Sequence, residues 1–185
     1  MSIINYTKTC SKNVPGVGKV FFSEVGNIDT ITIGSNLVSA VSMDTTDNEF
    51  HEFQADLDSV EYRSEGAGGS SYFTNHMLEM GFGKLSASLF AAKASLVDSM
   101  PCGLVAIYID GNGACWLVGW NDTDKEVRTL NTIADNFKTG KKPSDEDGNV
   151  FTITVSGESG YDIIPFDTTL TASIVDQTTA AEVFI

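Results

Sequence analysis

The sequence predicts a mainly β fold, a β-sandwich or barrel of antiparallel strands with one flanking α-helix at about residues 86–98. Three observations carry this. Short runs rich in Val, Ile, Phe and Thr recur between turn-forming clusters. Only one segment has helical spacing. The most apolar stretch, LVAIYIDGNGACWLVGW at 104–120, is interrupted by a single turn cluster, Asp110-Gly111-Asn112-Gly113. A chain of 185 residues suits one domain with a proper core, and 42% hydrophobic with 19% charged residues describes a folded chain.

Residues 1–17 are polar up to Val14-Pro15-Gly16 and read as an N-terminal arm. Residues 18–167 read as a single β-rich domain, and the threonine-rich tail, 168–185, as a terminal strand or arm. Within the domain, Lys19-Val20-Phe21-Phe22 and Ile31-Thr32-Ile33 are strands divided by the turn signal Gly26-Asn27, and 37–43 alternates as a third. Residues 50–63 read as one continuous strand. Phe53, Ala55, Leu57, Ser59 and Glu61 share one face, and His51, Gln54, Asp56, Asp58, Val60 and Tyr62 the wet one. A glycine-rich loop at 65–71 precedes a further strand at 72–82. The helix has Ser86 as N-cap and Pro101 beyond its end, with Leu85, Leu89, Ala92 and Leu96 in one apolar stripe. Residues 121–136 read as a polar span, followed by the Lys138, Lys141, Lys142 loop and the acidic turn 145–149. Strands are expected at 150–155 and 161–166.

Charge narrows the function classes. Eleven Lys and Arg against 25 Asp and Glu give a formal charge of -14. That disfavours a surface that binds phosphates, since such affinity rests on cations, and it disfavours an anionic membrane. Cys10, Cys102 and Cys115 lack the spacing of a zinc site or disulfide framework, so reduced thiols in a cytoplasmic environment are expected. The start, MSIINYTKTCSKN, lacks a cationic segment leading into an apolar one, and no apolar run approaches the roughly 20 residues that span a bilayer.

Candidate ligand motifs fall short. Asp110-x-Asn112 begins like a calcium loop, but Ala114 and Cys115 stand where a third ligand and the sharp-turn glycine belong. Asp-Gly and Asn-Gly between apolar runs signal a hairpin instead. Asp145, Asp147 and Asn149 lack both that glycine and the terminal glutamate, and Asp122-Thr123-Asp124 fails likewise. Gly16-Val17-Gly18-Lys19 precedes a strand where a phosphate loop needs a helix. His51 and His76, the two histidines, accompany no nucleophile motif and read as surface or interface residues. The residues nominate no catalytic group, cofactor or metal, so a non-enzymatic protein is expected.

The flanks of the hairpin are apolar on both faces, and each face needs a partner: the core, and a second sheet layer or another subunit. Trp116, Val118 and Trp120, on one side by the two-residue period, are the candidate subunit interface. The order of helix, hairpin ending Trp-Leu-Val-Gly, polar insert and DGNVFTITVSGE (147–158) resembles structural proteins of tailed bacteriophages, most of all tail-tube proteins. The likeness spans residues 50–166. It implies rings, usually hexameric, whose sheets join into a tube, assembled in the host cytoplasm and located in the virion. Partners would be further copies of the chain and other virion proteins, with DNA passing unbound. Glu52, Asp56 and Asp58 are the candidate lumen-facing residues, and loops 65–71 and 121–149 the candidate contacts between rings. Other readings stay open: a capsid-decorating protein, a head-tail connector or terminator, or a carbohydrate- or calcium-binding β-sandwich with Tyr72, Trp116 or Trp120 stacking on sugar.

Overall fold

The computed structural model describes residues 17–43, 50–56, 59–67, 73–83, 86–120, 129–138, 150–159 and 163–170. Most of the N-terminal arm, Leu57 and Asp58, the loop beyond Ala67, residues 121–128 and 139–149, and the tail beyond Leu170 lie outside that set. So does the whole acidic turn.

Strands come first. β1 (Val17–Glu24), a 3-10 turn (Val25–Asn27), β2 (Ile28–Gly34) and β3 (Leu37–Met43) open the chain. β4 (His51–Phe53), β5 (Val60–Ala67) and β6 (Phe73–Phe82) follow, then α1 (Ala87–Ser99). β7 (Leu104–Asp110), β8 (Cys115–Val118), β9 (Thr132–Lys138), β10 (Val150–Ser159) and β11 (Ile164–Pro165) complete the order. The expected mainly β, antiparallel architecture with one main helix is what the chain adopts.

Three sheets form. A five-stranded sheet has the order β11-β8-β7-β1-β4, a four-stranded sheet β5-β6-β10-β9, and β2 with β3 makes a two-stranded ribbon. The five-stranded sheet is the central layer. On one side Val105, Ile107, Ile109, Cys115 and Leu117 pack against Ile28, Ile31, Val38 and Val41 of the ribbon. On the other, Leu104, Ala106, Tyr108 and Val118 meet Leu78, Met80, Ile153 and Val155 of the four-stranded sheet. Both partners demanded by the apolar hairpin are therefore found within this chain.

Helix α1 starts where Ser86 Oγ accepts from the Leu89 N–H at 3.1 Å. Leu89 and Leu96 then reach the second core with Met100. Of the expected stripe Leu89, Ala92 and Leu96 turn one face to the protein, because i, i+3 and i+7 positions share a face, and Leu85 lies outside the described residues. Pro101 sits in the short 3-10 turn that ends the helix.

Three readings from the sequence need correction. Residues 50–63 are not one strand. β4 belongs to the five-stranded sheet and β5 to the four-stranded one, and the chain passes from one to the other between Phe53 and Val60. That corner is stapled by Ser59, whose Oγ shares its one proton between the Asp56 and Gly81 carbonyl oxygens, at 2.6 and 2.8 Å. Crossing it changes the phase of the alternation, so Val60 and Tyr62 turn inward and Glu61 outward, the reverse of the expected faces. Second, the polar span contains a strand, β9, paired with β10 from Thr132 to Lys138. Third, His76 is not a surface residue, being 1% exposed on β6, whereas His51 is exposed on β4. Of the tail, 168–170 are described and form a helical turn, with Asp167 Oδ1 accepting from the Leu170 N–H at 2.7 Å.

Candidate functional site

The hairpin turn resolves the question of its carboxylate. Asp110 Oδ1 accepts from the Asn112 and Ala114 N–H groups at 2.8 and 2.9 Å, and Oδ2 accepts from Trp116 Nε1 at 3.1 Å. Backbone bonds from Gly113 N to the Asp110 carbonyl and from Asp110 N to the Ala114 carbonyl close the loop, with Gly113 at φ 80°. This is a three-residue hairpin loop with its left-handed glycine in the last position. The carboxylate spends its lone pairs on the turn and on the indole.

The sequence-derived interface trio does not share a face. Val118 (1% exposed) points into the core shared with the four-stranded sheet, and Trp120 (3% exposed) into the core shared with the ribbon. Gly119 stands between them at φ 84°, and this left-handed residue breaks the two-residue period that was to align them. Trp116 is half-buried against the second core. In this fold Val118 and Trp120 are core side chains, leaving only Trp116 of the trio with part of its surface in solvent.

Trp116 ends an aromatic row across the sandwich. Its ring stacks on Tyr108 at 6.4 Å, Tyr108 on Tyr62 at 4.9 Å, and Tyr62 on His76 at 6.1 Å. The Tyr62 hydroxyl and His76 Nδ1 are hydrogen-bonded at 2.7 Å. Burial, then the neighbouring Tyr62, pushes the Tyr108 hydroxyl well above the usual phenol range. The row links β7 and β8 to β5 and β6, so it seams one sheet to the other.

The candidate lumen residues are placed unevenly. Glu52, on β4, is half-buried and 4.0 Å from Lys19 Nζ. Asp56 is exposed in the corner and its carboxylate accepts from the Gly83 N–H. Asp58 lies outside the described residues. Glu52 and Asp56 therefore sit at the edge and corner of two sheets, not along one acidic strand.

A continuous wet face lies elsewhere, on the four-stranded sheet. Thr74, His76, Leu78, Met80 and Phe82 of β6 and Phe151, Ile153 and Val155 of β10 face inward. The intervening residues face out: Glu61, Arg63 and Glu65 of β5, Asn75, Met77 and Glu79 of β6, Thr152, Thr154, Ser156 and Glu158 of β10, and Thr132, Ala134, Asn136 and Lys138 of β9. Its described positions carry four carboxylates against two cations. Arg63 Nε and Nη2 reach the Glu61 carboxylate at 2.8 and 2.7 Å, and this hydrogen bonding holds the Glu61 carboxyl below its ordinary value. Among the described residues β5 and β9 are the sheet's two edges.

A groove of about 310 Å³ beside α1 brings His51, Glu24 and Ser99 together. Ser99 Oγ donates its one proton to Glu24 Oε1 at 2.5 Å, tying the helix end to β1. The hydroxyl is thus committed to a carboxylate, and the arrangement offers a structural tie instead of a nucleophile relayed to an imidazole. Among the described residues, no three His, Cys, Asp or Glu side chains gather as a metal site. Nor is any described helix long and apolar enough to cross a membrane. No protein-family model, curated protein or solved structure shows a significant match to this chain.

Proposed function

We propose that the chain is a non-enzymatic, self-assembling virion protein, a tail tube subunit whose four-stranded sheet lines a conduit for DNA. The observation that carries this reading is the wet, net-acidic face of that sheet, bounded by two edge strands. A wall of this kind repels phosphates, and a conduit must not retain its cargo. The candidate lumen residues accordingly move from Glu52, Asp56 and Asp58 to Glu61, Glu65, Glu79 and Glu158.

The strand order supports the same reading. Alternating antiparallel pairing over four strands makes β5 and β9 run in opposite directions. In a ring of rotated copies, β9 of one copy laid beside β5 of the next continues the antiparallel sheet without a break. Such closure removes the open edges that otherwise invite disordered pairing. The apolar hairpin no longer argues for assembly, because this chain covers both its faces.

Negative-stain microscopy and sedimentation of concentrated protein should show rings or tubes, and a monomer that persists at high concentration would sink the proposal. Discrete oligomers that never polymerise would favour a decoration or connector protein. Replacing Glu79 and Glu158 by lysine should leave assembly intact yet make the tubes retain duplex DNA at low salt. Release on raising the salt is expected, since the added contacts are electrostatic.

A further inference from the structure

At the end of the wet face where β6 begins and β10 ends, Phe73, Asn75, Asn131, Thr132, Ser156 and Glu158 line an open groove of about 430 Å³. Pairing register brings them together: Asn75 stands opposite Glu158, and Ser156 opposite Thr132. Asn131 is held on both sides, its N–H donating to the Ser156 carbonyl at 3.1 Å and its Oδ1 accepting from Thr132 Oγ1 at 3.3 Å. The floor is tightly built, because the 129–130 backbone passes behind Gly157. A Cβ at 157 would lie 2.1 Å from the Thr129 carbonyl oxygen.

From this lining we infer that the groove binds a neutral saccharide. Among the described lining residues Glu158 is the only ionisable side chain, and Glu65 stands opposite Asn75 on the other side, so a phosphate or carboxylate ligand meets like charge. A calcium ion needs several oxygen ligands of which carboxylates are the strongest, and the described lining supplies one. A lipid or other apolar ligand finds a single described ring, Phe73, in an otherwise polar lining. Sugar hydroxyls each donate and accept. The Asn75 and Asn131 amides and the Ser156 hydroxyl do both as well, the Thr132 hydroxyl, whose proton goes to Asn131 Oδ1, accepts, and Glu158 accepts from two donors. The half-buried Phe73 offers an apolar surface for the C–H face of a ring. The groove lies at the end of the sheet away from Glu61 and Glu79 and shares Glu158 with the proposed wall, and the inference does not depend on the conduit reading.

Saturation-transfer NMR and calorimetry on the full chain, with maltose, cellobiose, lactose and N,N′-diacetylchitobiose as probes, test it. Spermidine and inorganic phosphate serve as charged comparisons. At least one disaccharide should bind saturably, and Phe73→Ala and Asn75→Ala should each weaken it about fivefold or more. Glu61→Gln, on the same face but outside the groove, should leave the affinity unchanged. Circular dichroism verifies that each surface variant is folded. The inference is overturned if no disaccharide binds at up to about 10 mM, beyond the millimolar range expected of a small polar contact. Binding of spermidine alone, or equal weakening by Glu61→Gln, overturns it too.

Discussion

The β7–β8 hairpin and the β6–β10 pair are both antiparallel and both central to their sheets, yet they face different surroundings. Every residue from Leu104 to Ile109 is buried, whereas β10 alternates, with Phe151, Ile153 and Val155 inside and Thr152, Thr154 and Ser156 half-exposed. The sequences differ in the same way, LVAIYI against FTITVS. A strand with two protein layers around it loses the polar half of its period, and one with a single layer keeps it. Continuous apolarity thus reports how many layers cover a strand. It does not say whether the covering layer belongs to the same chain.

This contrast is open to direct attack. The largest effect is expected for Ile107→Ala or Leu117→Ala in the doubly covered hairpin, at about 2–5 kcal/mol of stability. Thr154→Ala on the wet face of β10 should stay within about 0.5 kcal/mol. Urea denaturation compares the three, and equal losses would refute the layered account. Gly157→Ala forces a methyl group against the Thr129 carbonyl, and overpacking of this sort costs about 1–3 kcal/mol. Thermal melting should register it although 157 lies in the singly covered sheet. Asp110→Ala removes three accepted hydrogen bonds from the turn, for a loss of about 1–3 kcal/mol, with a change in Trp116 fluorescence as its marker.

The effect confined to alkaline solution concerns Tyr108, which lies between the two sheets. Its folded-state pKa is raised, so the unfolded chain releases this proton first as the solution becomes alkaline. Above about pH 10 the unfolded state binds fewer protons than the folded one, and stability falls with rising pH. The contribution is fully present below that value. Tyr108→Phe should flatten this part of the alkaline limb while leaving the neutral range nearly unchanged, as a denaturation midpoint measured against pH would reveal.

Much of the fold was legible. The third strand, Leu37–Met43, the Ser86 cap, the Leu89–Leu96 stripe and the Asp110 turn all follow from local chemistry. β9 was not. Ile133, Asp135 and Phe137 share its inward side, and the aspartate there masks the alternation. Lys93 of α1 accounts for it, reaching Asp135 Oδ2 at 2.5 Å, and a contact across 42 positions leaves no local signal. The candidate wall was half legible. Its residues were visible as polar positions of strands, but their common face depends on the register of four strands distant in sequence.

By itself the sequence determined what short-range physics determines: the β-rich class, the single helix and its cap, the hairpin turn, and an acidity that disfavours phosphate ligands. The tertiary structure decided which layer covers which face. Two backbone events settled that assignment, the corner between β4 and β5 that reverses the faces of β5 and the left-handed Gly119 that sends Trp120 away from Val118. Each shifts a strict two-residue period by one step, and one step moves a side chain to the opposite face, from solvent to core in β5 and from one core to the other at Trp120.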